Sequence, residues 1–300
     1  MFERLKDESY YRRFYFQDSF FAQCMDVDGL TLEQFDRSAE TARRLVAENP
    51  IFKTAGHVIS AGCGDSNLVS FALKGAFEHY LPEGEFEAVE AAELARHYQF
   101  GEDGGETIGL FVSFSGQVLR TIEALRQCAN HGVTTVAVTD GASSDTAKEA
   151  DLLYHTNTPR GDNNAGLRTY YSNVISGIIL AAAMAEVRTG EALLPRLREQ
   201  VSALHDRFFG EIEAISDTCF SAAIHWMDKK VLEVVADGPL FWAGKFVQAK
   251  VVELSGDPCS VVDSETYGAV NRHMAPAGEV GTLVLLNSAD GNVPQMAAAV

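Results

Sequence analysis

The stretch His57-Val-Ile-Ser-Ala-Gly-Cys-Gly-Asp-Ser66 decides the fold. Its first half is apolar and partly β-branched, as a short buried strand requires, and its second half is a tight glycine-rich turn. Asn67 to Tyr80 then reads as a helix with Leu68, Phe71, Ala72, Gly75 and Ala76 on one face. The same alternation continues downstream. Phe86–Glu90 and Ile108–Ser113 read as strands, Ser115-Gly116 as a turn, and Val118–His131 as a helix with Leu119, Ile122, Leu125 and Cys128 inward, stopped by Gly132. Val133–Thr139 is a fourth strand, Ser143 or Ser144 caps a short helix, and Leu152–Thr156 is a fifth strand. Strands alternating with helices predict an α/β fold, a parallel sheet flanked by helices in three layers.

The flanks extend this picture. Residues 1–50 read as a polar helical segment, with Thr31 as cap, Phe35, Ala39, Ala42, Leu45 and Val46 at helical spacing, and Asn49-Pro50 as the stop. The aromatic run from Tyr10 to Phe21 is too apolar for a free tail and is expected to pack on a lobe or on a partner subunit. Arg168–Arg188 is apolar nearly all round over Val174–Met184, which predicts a buried helix, broken by Gly190. Leu193–Trp226 reads as one or two amphipathic helices leading to a second half.

That half restarts the theme, with a strand at Val231–Ala236, a turn at Asp237-Gly-Pro, a helix at Phe241–Leu254, a strand at Leu283–Asn287 and a turn at Ala289-Asp-Gly291. An offset of 175 residues, Ala61 to Ala236, places Phe71 on Phe246, Glu78 on Glu253 and Leu110 on Leu285, the residue of a duplication. The second copy reads as incomplete, because Val300 falls inside the helix expected after Gly291: either the sequence is truncated or the last helices and strands are absent. The expected organisation is a helical segment over 1–50, a first lobe over 51–190, a helical linker over 191–228 and a second lobe over 229–300.

Composition narrows the function. The chain has 300 residues, 46% hydrophobic and 22% charged, with 24 basic against 42 acidic residues for a net charge of −18. Such an acidic surface repels phosphate backbones and anionic headgroups, and no basic patch reverses it, so neither a nucleic-acid nor a membrane partner is expected. No run of about 18 uncharged apolar residues marks a membrane span. The start, Met1 to Glu8, is charged and lacks an apolar signal region. The five cysteines are scattered with no Cys-x-x-Cys, which points to free thiols in a cytoplasmic protein. The histidines form no ligand-spaced pair, so no metal is expected. Nor is a dinucleotide or nucleotide cofactor expected, since a full Gly-x-Gly-x-x-Gly and a Gly-Lys-Ser/Thr are both missing.

Two turns carry chemistry. Gly62-Cys-Gly64-Asp-Ser66 and Ser113-Phe-Ser115-Gly116-Gln117 each follow a strand and open a helix, which brings backbone N–H groups and the positive end of a helix dipole to the carboxyl edge of the sheet. Glycines admit an anion close to the backbone, and the hydroxyls of Ser66, Ser113 and Ser115 add donors. A third polar turn, Ser143-Ser144, follows the next strand. Taken singly, each turn is equally well a helix cap.

These motifs resemble the sugar isomerase (SIS) family, whose first lobe reads Gly-x-Gly-x-Ser, then Ser-x-Ser-Gly-Glu-Thr, then a strand and Ser-x-Leu-Ala. Here stand Gly62 to Ser66, Ser113 to Gln117, Val133–Thr139 and Ser144-Asp-Thr-Ala147, and Asp162 to Tyr170 resembles the family's acidic residue before a helix. The resemblance covers roughly 55–290 and implies a two-lobed, cofactor-independent sugar-phosphate isomerase, a homodimer or larger assembly with shared sites. It implies that Gly64, Ser66, Ser113, Ser115, Gly116 and Gln117 hold the sugar's anionic group. Phe114 and Val118 stand where the family has donors, and Arg168 is the candidate to supply the missing charge. Lys250-Val-Val-Glu253-Leu-Ser resembles Lys-x-Lys-Glu-Ile-Ser, in which the Glu moves a proton between C1 and C2. Glu265 and His273 match in type the family's Glu-x-x-His, whose His opens the ring and often reaches a neighbouring subunit. The chemistry suits these types, with a partly buried carboxylate as base, a group titrating near neutrality for ring opening, and Lys250, Arg168 or a helix N-terminus for the enediol oxyanion. The implied activity is aldose–ketose isomerisation of a sugar with an anionic end, a phosphate or an analogue such as a sulfonate. Fructosamine-phosphate deglycation or aminosugar-phosphate deamination on the same fold, and a non-catalytic sugar-phosphate sensor, are the rivals.

Overall fold

A computed structural model describes residues 17–101, 104–158, 166–273 and 278–287. The chain divides into two compact units, one spanning Ser19–Asp206 and one holding the described residues from Arg207 onward. In chain order the elements are α1 (Gln17–Glu48), α2 (Ile51–Thr54), β1 (His57–Gly62), α3 (Asp65–Ala72), α4 (Lys74–Tyr80), β2 (Glu85–Glu90), α5 (Ala91–Arg96), β3 (Thr107–Val112), α6 (Leu119–Asn130), β4 (Thr134–Thr139), α7 (Asp145–Glu149), β5 (Leu152–His155), α8 (Leu167–Thr189) and α9 (Leu194–Trp226). They continue with β6 (Val231–Ala236), α10 (Pro239–Ser255), β7 (Cys259–Val262), α11 (Ser264–Ala269), a 3-10 turn (Asn271–His273) and β8 (Val280–Leu285).

The first unit is built on a five-stranded sheet in the order β2-β1-β3-β4-β5, every pairing parallel. Alternate residues of β3 feed the two faces. Ile108, Leu110 and Val112 join a core with α1, α3, α4 and α8, while Phe111 joins one with α5 and α6. A strand buried on both faces has to be apolar throughout, which is why β3 shows no polar alternation. All five strands lie within a residue of their predicted ends.

The helix α8 is long and apolar enough to cross a membrane by length and composition, yet 67% of its most apolar window is buried inside the protein. It is the core helix of this unit. Its Gly177 lies against Leu73, where a Cβ would come within 2.4 Å of Leu73 Cδ1.

Several expectations are corrected. Thr31 is no cap, because α1 continues through it back to Gln17. The helix expected over Asn67–Tyr80 is split at Leu73, where Ala76 N–H donates to Leu73 O over three residues instead of four and tightens the turn. Of the one or two helices expected over Leu193–Trp226 the structure forms one, the 33-residue α9 (Leu194–Trp226). The short elements α5, β7 and α11 were too brief for periodicity to show. The aromatic run up to Phe16, the acid at Asp162 and the turn at Gly291 lie outside the described residues.

The second unit carries a three-stranded parallel sheet in the order β7-β6-β8, the order in which the first unit begins. The parallel reaches single residues. Gly64, before α3, has φ 57 and ψ −130, and Gly238, before α10, has φ 54 and ψ −134. Only glycine adopts such a backbone readily. These glycines set the offset at 174 residues, Gly64 to Gly238, rather than 175. Across β3 and β8 it falls to 173, Val112 to Leu285, so Leu110 does not answer to Leu285. Beyond Leu73 the two helices diverge, because α10 is continuous where α3 and α4 break, so Glu78 is not the counterpart of Glu253.

Candidate functional site

In the order β2-β1-β3 the chain leaves β1 for one side of the sheet and returns to β3 on the other, so the loops after β1 and β3 diverge and leave a crevice. Ligands of open parallel sheets bind at such a switch point. Gly62 pairs with Val112, and Val112 with Val138, so the turns after β1, β3 and β4 leave the sheet at one level. The first two are the glycine-rich turns singled out by sequence.

Local chemistry explains each turn. At Gly62 a Cβ would lie 2.6 Å from the Ser66 carbonyl carbon, so the helix α3 starts hard against the strand end. Ser66 N–H donates to Cys63 O at 3.2 Å, and Thr121 Oγ1 donates to Cys63 Sγ at 3.5 Å, tying the first turn to α6. Asp65 opens α3, and its charge lies near the Tyr170 phenol, whose pKa is pushed up to about 12, first by burial and second by Asp65.

The second turn is braced by the third. Gly116 has φ 65, and a Cβ there would meet Ser144 Oγ at 1.9 Å. Its carbonyl accepts from Thr146 N–H at 3.0 Å and from Thr146 Oγ1 at 2.9 Å. Thr139 Oγ1 donates to Phe114 O at 3.1 Å. Ser144 caps α7 by accepting from Ala147 N–H. Thr139, Ser144 and Thr146 are thus part of the site's frame. Sequence pointed to the Ser143-Ser144 turn only as a polar turn, because bracing across loops leaves no periodic signal.

The predicted anion residues divide by exposure. Ser113 is 1% exposed and its Oγ accepts from Gly116 N–H at 3.2 Å, so it braces the turn while keeping its own hydrogen to donate. Ser115 and Gln117 are exposed, with Ser115 Oγ accepting from Gln117 N–H at 3.3 Å. Gly64 is exposed and Ser66 partly so. Arg168 is buried in the first turn of α8. In the same unit, Gln34 and Ser38 of α1 donate to Thr156 O at 3.1 and 2.8 Å, part of a buried polar network that sequence did not reveal.

In the second unit, Lys250 Nζ donates to Glu253 Oε2 at 2.6 Å and lies 5.0 Å from the Phe246 ring centroid. The Lys250 side chain is 10% exposed and that of Glu253 48%, so the base is more open than the partly buried carboxylate expected. Glu265 is exposed in the first turn of α11. His273 is exposed on the 3-10 turn, where Arg272 Nε donates to its Nε2 at 3.1 Å. The structure therefore brings Lys250 and Glu253 together, and sets Glu265 and His273 on one segment. Among the described residues no group of three or more His, Cys, Asp and Glu is placed to hold a metal ion.

Comparison with known proteins agrees with this geometry. A family model described as the SIS domain matches residues 51–184. A human glutamine–fructose-6-phosphate aminotransferase [isomerizing] 2 is 27% identical over 161 residues, 50% of this chain and 23% of that protein, so the chain spans about a quarter of such a relative. Among solved structures, the C-terminal domain of glucosamine-fructose-6-phosphate aminotransferase from Francisella tularensis superposes with a TM-score of 0.76 at 14% identity, covering 89% of this chain and 77% of that one. Tagatose-6-phosphate ketose/aldose isomerase from Escherichia coli gives 0.69 at 14% identity, covering 89% and 71%. At such identities these likenesses establish the fold.

Proposed function

We propose, on the premise that the chain carries a SIS domain over residues 51–184, that it is a cofactor-independent aldose–ketose isomerase for a sugar with an anionic terminal group. The observation that carries this reading is the pair of glycine turns leaving β1 and β3 at one level of the switch-point crevice. Helix N-termini and close-approach glycines favour an anion there. Gly64, Ser66, Ser115, Gly116 and Gln117 would hold it, with Ser113 fixing the second turn and Arg168 adding positive charge. Asp65 in the first turn and Phe114 in the second make this cradle less positive than a cluster of donors, which supports a monoanion such as a sulfonate beside phosphate.

In this reading Glu253 takes the proton from the carbon next to the aldose carbonyl, and the electron pair moves onto oxygen as an enediolate. The same carboxyl, open to exchange with solvent at 48% exposure, returns a proton to C1 while the O2 hydroxyl proton passes to O1, so the ketose forms without net oxidation. Lys250, already bonded to Glu253, orients the carboxylate and offers positive charge to the enediolate. His273 opens the ring, and Glu265 binds the substrate. The resemblance, in which the histidine often reaches a neighbouring subunit, supports a homodimer or larger assembly with shared sites. The free thiols of Cys63, Cys128, Cys219 and Cys259 support a cytoplasmic setting.

The test is a thermal-shift and NMR-turnover panel of fructose 6-phosphate, tagatose 6-phosphate, glucosamine 6-phosphate, their 6-sulfo analogues and the neutral sugars. An anionic sugar that raises the melting temperature and is interconverted with its isomer is the expected result. Ammonia release would assign the deaminase chemistry instead. Binding without turnover would assign the sensor, and equal binding of neutral sugars would remove the anion site.

A further inference from the structure

Resting on that reading, we propose that β6 positions the reacting segment of the second unit through two carboxylates, Glu233 and Asp237, which hold the stretch Ser264–His273 at both ends. Glu233 lies on the middle strand of the sheet and is 1% exposed. An ionisable side chain is rarely so buried without partners. Its Oε1 accepts from Asn271 Nδ2 at 2.5 Å and from Ser260 Oγ at 3.3 Å. At the end of the same strand, Asp237 Oδ1 accepts from Ser264 N–H at 2.9 Å and Oδ2 from Ser264 Oγ at 2.7 Å.

The segment so held carries Glu265 near its first residue and His273 at its last, both exposed. Exposed side chains on a short helix and a 3-10 turn draw no positioning from core packing of their own. Anchoring them to the central strand supplies it, and a displacement of about 1 Å at such a group costs up to about a hundredfold in rate. The two acids belong to this copy alone. At the offset of 174 the first unit has Ile59 and Cys63 in their places, an apolar residue and a thiol, and there the chain after β2 carries none of the proposed catalytic groups. Glu233 and Asp237 touch no substrate in this account. They act through the segment they hold.

The test sets a charge against the anchor and then removes the conflict. Asn271→Asp places two carboxylates face to face, and the double variant Glu233→Gln with Asn271→Asp restores one donor and one acceptor with their roles exchanged. Two readouts are taken on the full chain: amide hydrogen exchange over 264–273, and kcat and KM on the anionic sugar that the panel identifies. Asn271→Asp is expected to exchange faster in that window and to lose about tenfold or more in kcat, with KM changed less than about threefold, and the swap to recover both. Asp237→Asn, a milder cut at the other end, is expected to move both readouts in the same direction. Parent-like exchange in Asn271→Asp and Asp237→Asn overturns the inference. So does a swap that restores exchange but leaves kcat depressed. His273→Ala separates the two claims: if it keeps parent kcat, the ring-opening assignment fails, while the exchange data still judge the anchor.

Discussion

Gly116→Ala tests the frame of the proposed anion site by atomic distances. The new methyl would stand 1.9 Å from Ser144 Oγ, 2.4 Å from Ser144 Cβ and 3.1 Å from Thr139 Oγ1. A hydroxyl can rotate away, but a Cβ at 2.4 Å cannot, so α7 or the turn has to shift. Forcing a methyl into a packed site costs about 1–3 kcal/mol. The left-handed backbone at φ 65 adds about 1–2 kcal/mol for alanine. Together these predict a loss of about 2–5 kcal/mol, which for a unit of this size lowers the melting temperature by roughly 4–20 °C. The cause can be isolated with Ser144→Gly, which removes both offending atoms. Its own cost is a few tenths of a kcal/mol, since glycine replaces a serine cap. The double variant should therefore recover about 1–3 kcal/mol relative to the sum of the single losses. Urea midpoints of the four proteins measure this, and the thermal shift given by an anionic sugar should vanish in Gly116→Ala and partly return in the double variant. A parent-like Gly116→Ala, or a double variant as unstable as the sum of its singles, would refute the contact.

Two further outcomes are expected. Ser115→Ala should raise KM for the anionic sugar more than it lowers kcat, read by initial rates, and an unchanged KM would move the anion elsewhere. Asp263 caps α11, and its carboxyl is held below the usual range by hydrogen bonds from Thr266 Oγ1 and N–H. A depressed carboxyl contributes stability that is full above its ordinary value and lost as pH falls through the lower folded one. Urea midpoints should therefore show a parent minus Asp263→Asn difference that is constant at neutral pH and shrinks below the ordinary aspartate range. A difference independent of pH down to acid unfolding would deny that cap.

The first unit was legible because its strands are apolar and its turns are marked by glycine. His57–Gly62 and Thr107–Val112 announce themselves by β-branched and aromatic runs, and Gly64 and Gly116 mark turns at positive φ, where glycine is favoured. The second unit was read less well because β7 is four residues long and follows Asp257-Pro258, too short for any period to show. The offset of 175 is one residue too long because sparse identities at a fixed spacing do not mark where a turn begins, whereas the shared backbone of Gly64 and Gly238 does. In the site, the chemistry-bearing serines were visible as types, but their division into the buried Ser113 and the exposed Ser115 depends on Thr139, Ser144 and Thr146. Contacts between loops of distant sequence position leave no mark in a linear pattern. Glu233 escaped notice for a similar reason, as an acid within an apolar strand looks like an edge residue until its partners are known.

The proton-transfer claim is tested most directly by running the isomerisation in D2O with the parent and Glu253→Gln and reading the sugar by NMR. The account predicts deuterium at the carbon that receives the proton in the parent reaction, and in the variant no interconversion but an undiminished thermal shift with the same sugar. Interconversion by Glu253→Gln at the parent rate would contradict it.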